Sequence, residues 1–339
     1  GRVEGVSLRQ LARRLTIAWV GLLLVWVGLA YAQENAPHEQ ARKLINAESY
    51  EAAQRMLEKH LEQNPNDAKA YAMLCEIALI TEDVDQAIDY AKRAVEIADS
   101  VAEYHAWLAR SYLIKASGSK LIGIIYARRG KGEYEKAVRL DPRDGRIRFE
   151  LCLYYMLAPG IAGGGMDKAK ALADEITALD EVLGKFAWAL IKEKEGDVEE
   201  AERLLRHAAR IDTSSTYEAL YALGGFLQRH DRYDEAVAVY DTILVRNPTE
   251  LLAFYQKGNA YLEAEKELDK AEHCFKTYID GKIRPYWPQK CYAHWRLAMV
   301  YDLQGKKELA IAELRRALEL KPDEKAFKDA LKRIRESKS

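Results

Sequence analysis

No surplus of charge of either sign marks this chain. Its 52 lysines and arginines stand against 53 aspartates and glutamates, with no basic stripe. Such a surface lacks the field that selects nucleic acid or anionic lipid. Catalytic signatures are missing as well. The glycine cluster 163–165 has no following Gly-Lys-Ser/Thr and no strand before it, so it is no phosphate loop but a flexible turn after a helix-stopping Pro159. Ser117-Gly-Ser-Lys120 lacks the Ser-Asp-Asn and Lys-Thr-Gly companions that a serine nucleophile of that pattern needs. His38-Glu39 opens a zinc-protease pattern, but Arg42 and Lys43 occupy the region of the second histidine. No serine–histidine–acid set stands out. The chain is therefore expected to be no enzyme and to need no cofactor or metal.

Long apolar runs are also absent, with one exception at the N-terminus. Arg9, Arg13 and Arg14 precede an apolar stretch from about Leu15 to Leu29, which ends in Ala30-Tyr31-Ala32. A basic head, an apolar middle and a small-x-small site describe a secretory signal peptide over residues 1–32. An uncleaved inner-membrane anchor through residues 15–32 is the alternative. No cysteine follows the cleavage site, which argues against a lipoprotein. Removing residues 1–32 leaves 48 basic against 52 acidic side chains. The expected location is outside the cytoplasm, in a periplasm, with membrane attachment only if the segment stays uncleaved.

What the sequence does contain is a period. Ala53 and Ala87 are 34 residues apart, and the same slot returns at Gly130, Ala169, Ala201, Ala236, Ala271 and Ala310. A second series of small residues keeps step: Ala41, Cys75, Ala109, Cys152, Ala189, Gly224, Gly258 and Ala298. Two phased series, one per helix, mean paired helices whose backbones approach closely. Leu74, Leu108, Leu151, Leu223 and Leu297 precede the first-helix slot by one residue, and Tyr112, Tyr155, Tyr261 and Tyr301 follow it by three. Prolines at 65, 142, 248 and 322 stand where second helices close, since proline cannot continue a helix.

Over residues 36–322 this pattern resembles the tetratricopeptide repeat family. The resemblance implies an all-α, right-handed superhelical solenoid of about eight helix pairs. Residues 323–339, with Ala326, Phe327, Ala330, Leu331 and Ile334 at helical spacing, read as a C-terminal capping helix. It also implies a concave groove lined by the fifth residue of each first helix. Those positions hold Phe149, Phe186, Tyr221, Tyr255 and Trp295, with Leu153, Leu190, Gly225, Asn259 and Met299 one turn on. The expected ligand is a protein or peptide segment, anchored on the aromatic residues.

Three irregularities interrupt the period. About nine extra residues separate the helices of the third repeat, around Lys115–Lys120 and Leu121–Ile125. Five more enter at Ala158–Gly165, and a loop with two prolines spans Gly281–Pro288. Insertions in a solenoid often map to a contact face. Residues 102–180, with Ala158-Pro-Gly-Ile-Ala-Gly-Gly-Gly165, resemble a group of exported bacterial tetratricopeptide proteins. More loosely, they resemble repeat proteins related to regulators of microtubule dynamics and the helper lipoproteins of periplasmic solute transporters. The last likeness implies an alternative role, a solute-binding accessory taking a small apolar ligand.

The four cysteines divide by position. Cys75 and Cys152 occupy small-residue slots two repeats apart and read as buried hydrophobes. Cys274 and Cys291 belong to helices expected to pack together, so a disulfide is open to them. A metal site with His273 and His294 and a pair of free thiols are the other readings, free thiols being the default.

Overall fold

Seventeen helices and one 3-10 turn account for the regular structure of the computed structural model, which describes residues 37–118, 122–284 and 287–336. The signal or anchor segment expected at residues 1–32 lies outside those residues. No strand occurs among the described residues. The chain divides at Asp99–Ser100 into two compact units.

The first unit holds α1 (37–46), α2 (Tyr50–Gln63), α3 (Ala68–Ile80) and α4 (Val84–Ile97). Asp67 and Asp83 cap α3 and α4 by accepting the Ala70 and Gln86 backbone N–H groups, each cap contributing about 1 kcal/mol. The core gathers Ala41 and Ile45 from α1, Ala53 and Leu57 from α2, and Leu74 and Ile77 from α3.

The second unit holds α5 (Ala102–Ser117), α6 (Gly123–Leu140), α7 (Gly145–Leu157), α8 (Met166–Leu179), α9 (Glu181–Glu195) and α10 (Val198–Ile211). It continues through α11 (Glu218–Arg229), α12 (Tyr233–Arg246), α13 (Leu251–Glu263), α14 (Leu268–Asp280), α15 (Lys290–Leu303), α16 (Lys307–Leu320) and α17 (Lys325–Glu336). Asp144, Asp180 and Asp197 cap α7, α9 and α10. Each helix packs on the next. First helices also touch across repeats, α7 with α9, α9 with α11 and α13 with α15, while no two second helices approach as closely. First helices therefore form the inner row of a curved stack.

Every member of both small-residue series is buried. The slots meet one another. Cys152 Sγ donates to the Ala169 carbonyl at 3.2 Å, joining α7 to α8 through their two slots. At Gly224 an added Cβ would come within 2.5 Å of the Tyr240 ring, and at Gly258 within 3.0 Å of Phe275. α17 lies on α16 and fully buries Phe327 and Ile334. The Phe327 ring packs 5.5 Å from Tyr292 and 5.8 Å from Trp295.

Two expectations about the insertions need correction. The described residues of the third-repeat insertion belong largely to its two helices. They lengthen α5 and α6 to 16 and 18 residues. Gly123 permits the tight join, because a Cβ there would sit 2.7 Å from the Ala116 carbonyl oxygen. Nor is the glycine-rich turn of the fourth repeat loosely held. Gly160–Ala162 form a 3-10 turn, Gly163 takes a left-handed φ of 91°, and Gly165 donates its N–H to the Tyr155 carbonyl. Tyr154 Oη donates to the Ala162 carbonyl at 2.7 Å, and the Arg128 guanidinium to the Ile161 carbonyl at 2.7 Å.

Candidate binding groove on the first helices

Phe149 on α7 and Phe186 on α9 stack with centroids 5.2 Å apart and planes 25° from parallel. Both rings are half-buried, on the inner row of helices. They line a cavity of about 770 Å³ that also takes in Ala102 and Ala106 of α5, Ile147, Leu183 and Glu218. A smaller depression of about 270 Å³ continues from Leu183 and Phe186 to Val182, Thr213 and Ser214. The helical spacing of Leu183 and Phe186, three residues apart, puts both on one face.

Charges around the rings are paired. Arg110 binds Glu150 through two hydrogen bonds, Nε at 2.8 Å and Nη2 at 2.6 Å, and Tyr134 Oη donates to the same carboxylate at 2.7 Å. Burial opposes the charge on Arg110, but its bonds to Glu150 outweigh that and hold its pKa above the ordinary value. Burial, followed by the Glu150 charge, pushes the Tyr134 hydroxyl well above its usual range. Arg146 reaches from α7 to Glu218 on α11 at 3.1 Å, an exposed pair at the rim. Such a pair contributes little to stability but frames the opening.

The other sequence-predicted groove residues line neither depression. Tyr221 is half-buried, 6.3 Å from the Tyr240 ring, with Oη 3.5 Å from Glu250 Oε1. Burial and the Glu250 charge push its hydroxyl upward. Tyr255 is only 7% exposed, wedged between Phe275 at 5.8 Å and Tyr278 at 4.9 Å. Asn259 is buried too. Trp295 is half-buried beneath Phe327 of α17, and the Met299 sulfur accepts from Arg333 at 3.7 Å. The aromatic series thus faces an open groove at Phe149 and Phe186, while Tyr255 belongs to the core between α13 and α14.

A second, apolar cavity of about 640 Å³ opens between α5, α6, α7 and the glycine-rich turn. Leu113, Ile124, Leu153, Leu157 and Pro159 line it, with Tyr134 and Glu150 also on its wall. Leu157 and Ile161 nearby stay 65% and 64% exposed. The two insertions, distant by period, therefore shape one apolar site.

Arg110 and Glu150 are functional candidates that the sequence reading missed. A signal existed. Arg110 directly follows the small slot Ala109, as Arg42 follows Ala41 and Glu76 follows Cys75. In the first unit Arg42 makes a similar two-bond pair, with Nη1 and Nη2 at 2.5 and 2.7 Å from the Glu76 carboxylate, although Glu150 stands two residues before its slot Cys152 and not one after it.

The disulfide open to Cys274 and Cys291 is not formed, and all four cysteines are buried free thiols. Cys274 turns toward Gly258, whose added Cβ would lie 3.2 Å from the Cys274 Cβ, while Cys291 Sγ donates to Gln289 Oε1 at 3.6 Å. Burial pushes the Cys274 thiol up to about 11 and the Cys152 thiol up to about 12. His273 packs edge-on to Phe254, and His294 Nδ1 pairs with Glu313 at 2.6 Å, so these rings serve different neighbours.

Family models of the tetratricopeptide repeat match residues 44–111, 186–250 and 255–325, together more than half of the chain. Human superkiller complex protein 3 is 25% identical over 284 residues, covering 82% of this chain and 17% of that protein. Human protein O-mannosyl-transferase TMTC1 is 25% identical over 177 residues, covering 50% of this chain and 19% of that protein. The chain thus spans less than a fifth of either relative's length. Among solved structures, yeast Tom70 aligns with a TM-score of 0.63 at 16% identity, over 85% of this chain and 58% of that one. An IFIT1 monomeric mutant with Gppp-AAAA aligns with a TM-score of 0.52 at 16% identity, over 83% of this chain and 67% of that one. These two likenesses concern the fold.

Proposed function

Because the chain belongs to the tetratricopeptide repeat family, we propose that it is a non-enzymatic interaction scaffold of a bacterial cell envelope, holding a segment of a partner protein. One observation carries the reading: the stacked Phe149–Phe186 pair lining a cavity of about 770 Å³ on the inner helix row. Two rigid rings supply contact area at little entropic cost, the property that makes aromatic side chains binding anchors. The paired charges Arg110–Glu150 and Arg146–Glu218 beside them suit a segment that presents an apolar side chain flanked by polar backbone. Export rests on residues 1–32, with the mature protein starting at Gln33. No helix among the described residues is long and apolar enough to cross a membrane.

The test is capture from envelope extract by the full chain, followed by calorimetry against the captured protein. Phe149→Ala and Phe186→Ala each weaken binding by about 1–3 kcal/mol, as anchor truncations do. Outer-face controls Glu199→Ala and Glu235→Ala change it by much less. Equal losses in the controls would move the site off the inner row.

The apolar cavity of about 640 Å³ favours a second reading, a carrier of a small apolar solute. A carrier releases a small molecule when the purified chain is denatured, and Leu157→Asp, at an exposed edge of that cavity, removes it while leaving partner capture intact.

A further inference from the structure

In the first unit, where one helix pair gives way to the next, two histidines converge on one carboxylate oxygen. His38 comes from α1, His60 from the last turn of α2, and Asp67 from the turn before α3. Both imidazole Nε2 atoms lie 2.8 Å from Asp67 Oδ2, and the three atoms fall within 4.8 Å of one another. The two rings stand at 76°, centroids 5.8 Å apart, so they meet the oxygen from different directions.

The cluster is sheltered and held in place from outside. His38 is 6% exposed. Its Nδ1 has no hydrogen-bond partner, so the ring's polar anchoring rests wholly on Nε2. Asp67 Oδ1 accepts the Ala70 N–H at 3.0 Å, which fixes the carboxylate plane and leaves Oδ2 for the histidines. Asn64 Nδ2 lies 3.3 Å from His60 Nδ1, an outer contact of the kind that orients metal-bound imidazoles.

We propose that His38, His60 and Asp67 form a binding site for a divalent transition-metal ion of the zinc type. The ligand atoms are the two Nε2 atoms and Asp67 Oδ2, and a fourth position is open to water. Two imidazole nitrogens and one carboxylate are a set that zinc takes, whereas magnesium and calcium want oxygens throughout. Tetrahedral bonds of about 2.0–2.1 Å need ligand atoms roughly 3.3 Å apart, so each ring backs away from Oδ2 by about half an ångström. Each neutral imidazole presents its Nε2 lone pair by carrying its proton on Nδ1. At His60 that proton meets the Asn64 side chain once its amide oxygen turns inward, a flip the hydrogen-bond network decides. The role is structural: the ion clamps α1 and the end of α2 to the capping aspartate of α3.

The experiment uses the full chain, stripped with chelator and then titrated with zinc chloride by calorimetry, and with cobalt(II) by visible absorption. The expected result is one saturable site per chain, tetrahedral cobalt bands, and a melting temperature that rises with zinc and falls back with chelator. Asp67→Asn keeps a good helix cap yet removes the anionic ligand, and His60→Gln removes a nitrogen ligand. Each is expected to weaken zinc binding at least tenfold and to abolish the melting shift, whereas His273→Gln changes neither. Absence of saturable binding, or zinc affinity unchanged in both cluster variants, would overturn the assignment. Should either variant fold poorly by circular dichroism, the wild-type cobalt spectrum decides alone: octahedral bands only would equally overturn it.

Discussion

At the scale of single residues, the repeat is enforced by what cannot be larger. Gly224 faces the Tyr240 side chain so closely that a methyl group at its Cα would lie 2.5 and 2.6 Å from two ring carbons and 2.7 Å from the hydroxyl oxygen. Tyr240 cannot swing aside freely, because it is fully buried and its hydroxyl donates to Gln228 Oε1 at 2.6 Å. Gly224→Ala is therefore expected to destabilise by about 1–3 kcal/mol through overpacking, in spite of alanine's better helix propensity. Gly132, exposed on α6, has nothing within 4 Å of an added Cβ. There the propensity term acts unopposed, and Gly132→Ala is expected to stabilise by roughly 0.5–1 kcal/mol. Denaturant unfolding of the two variants checks both signs. Two losses, or two gains, would mean that close approach is not what selects glycine at the slot.

At the scale of helices, the paired elements could be read from sequence because their signal is local and repeated. Small residues in phase with a leucine before them place α3, α5, α7, α11 and α15, and a tyrosine three residues on adds to the signal in α5, α7 and α15, without any knowledge of neighbours. Phe149 and Phe186 follow from the same register. What escaped was set by contacts across helices. Tyr255 occupies the same slot as Tyr221, yet Phe275 and Tyr278 of α14 close over it, and nothing in its own helix announces that. The extension of α5 and α6 was hidden for a similar reason. Ser117-Gly118 does end α5, but how closely α6 then starts against it depends on Gly123 fitting against the Ala116 carbonyl. Gly123→Val tests this join. Its side chain would collide with backbone that cannot retreat, so a loss of about 1–3 kcal/mol is expected, and the apolar cavity beside it should deform. Ligand-free thermal melts give the first quantity. Unchanged stability would show that the two helices need no close contact there.

At the scale of the whole array, stability in a repeat protein is a sum of units and nearest-neighbour interfaces, not one cooperative core. The unit from Ser100 onward offers a direct test through α17, which touches only the end of its stack. Phe327 and Ile334 are fully buried there, with Trp295 and Tyr292 packed against Phe327. Burial of a large apolar side chain contributes about 1.5–3 kcal/mol, so a chain ending at Pro322 should lose roughly 3–6 kcal/mol of local stability on the two side chains alone. Under nearest-neighbour rules the loss stays local. Amide exchange should quicken in α15 and α16, where the uncovered face lies, and remain unchanged in α7 and α9. The Phe149–Phe186 groove, built on those two helices, should then bind its partner with the affinity of the full chain. If protection instead falls evenly from α5 to α16, the second unit unfolds as one body, and the groove's stability depends on every helix after it.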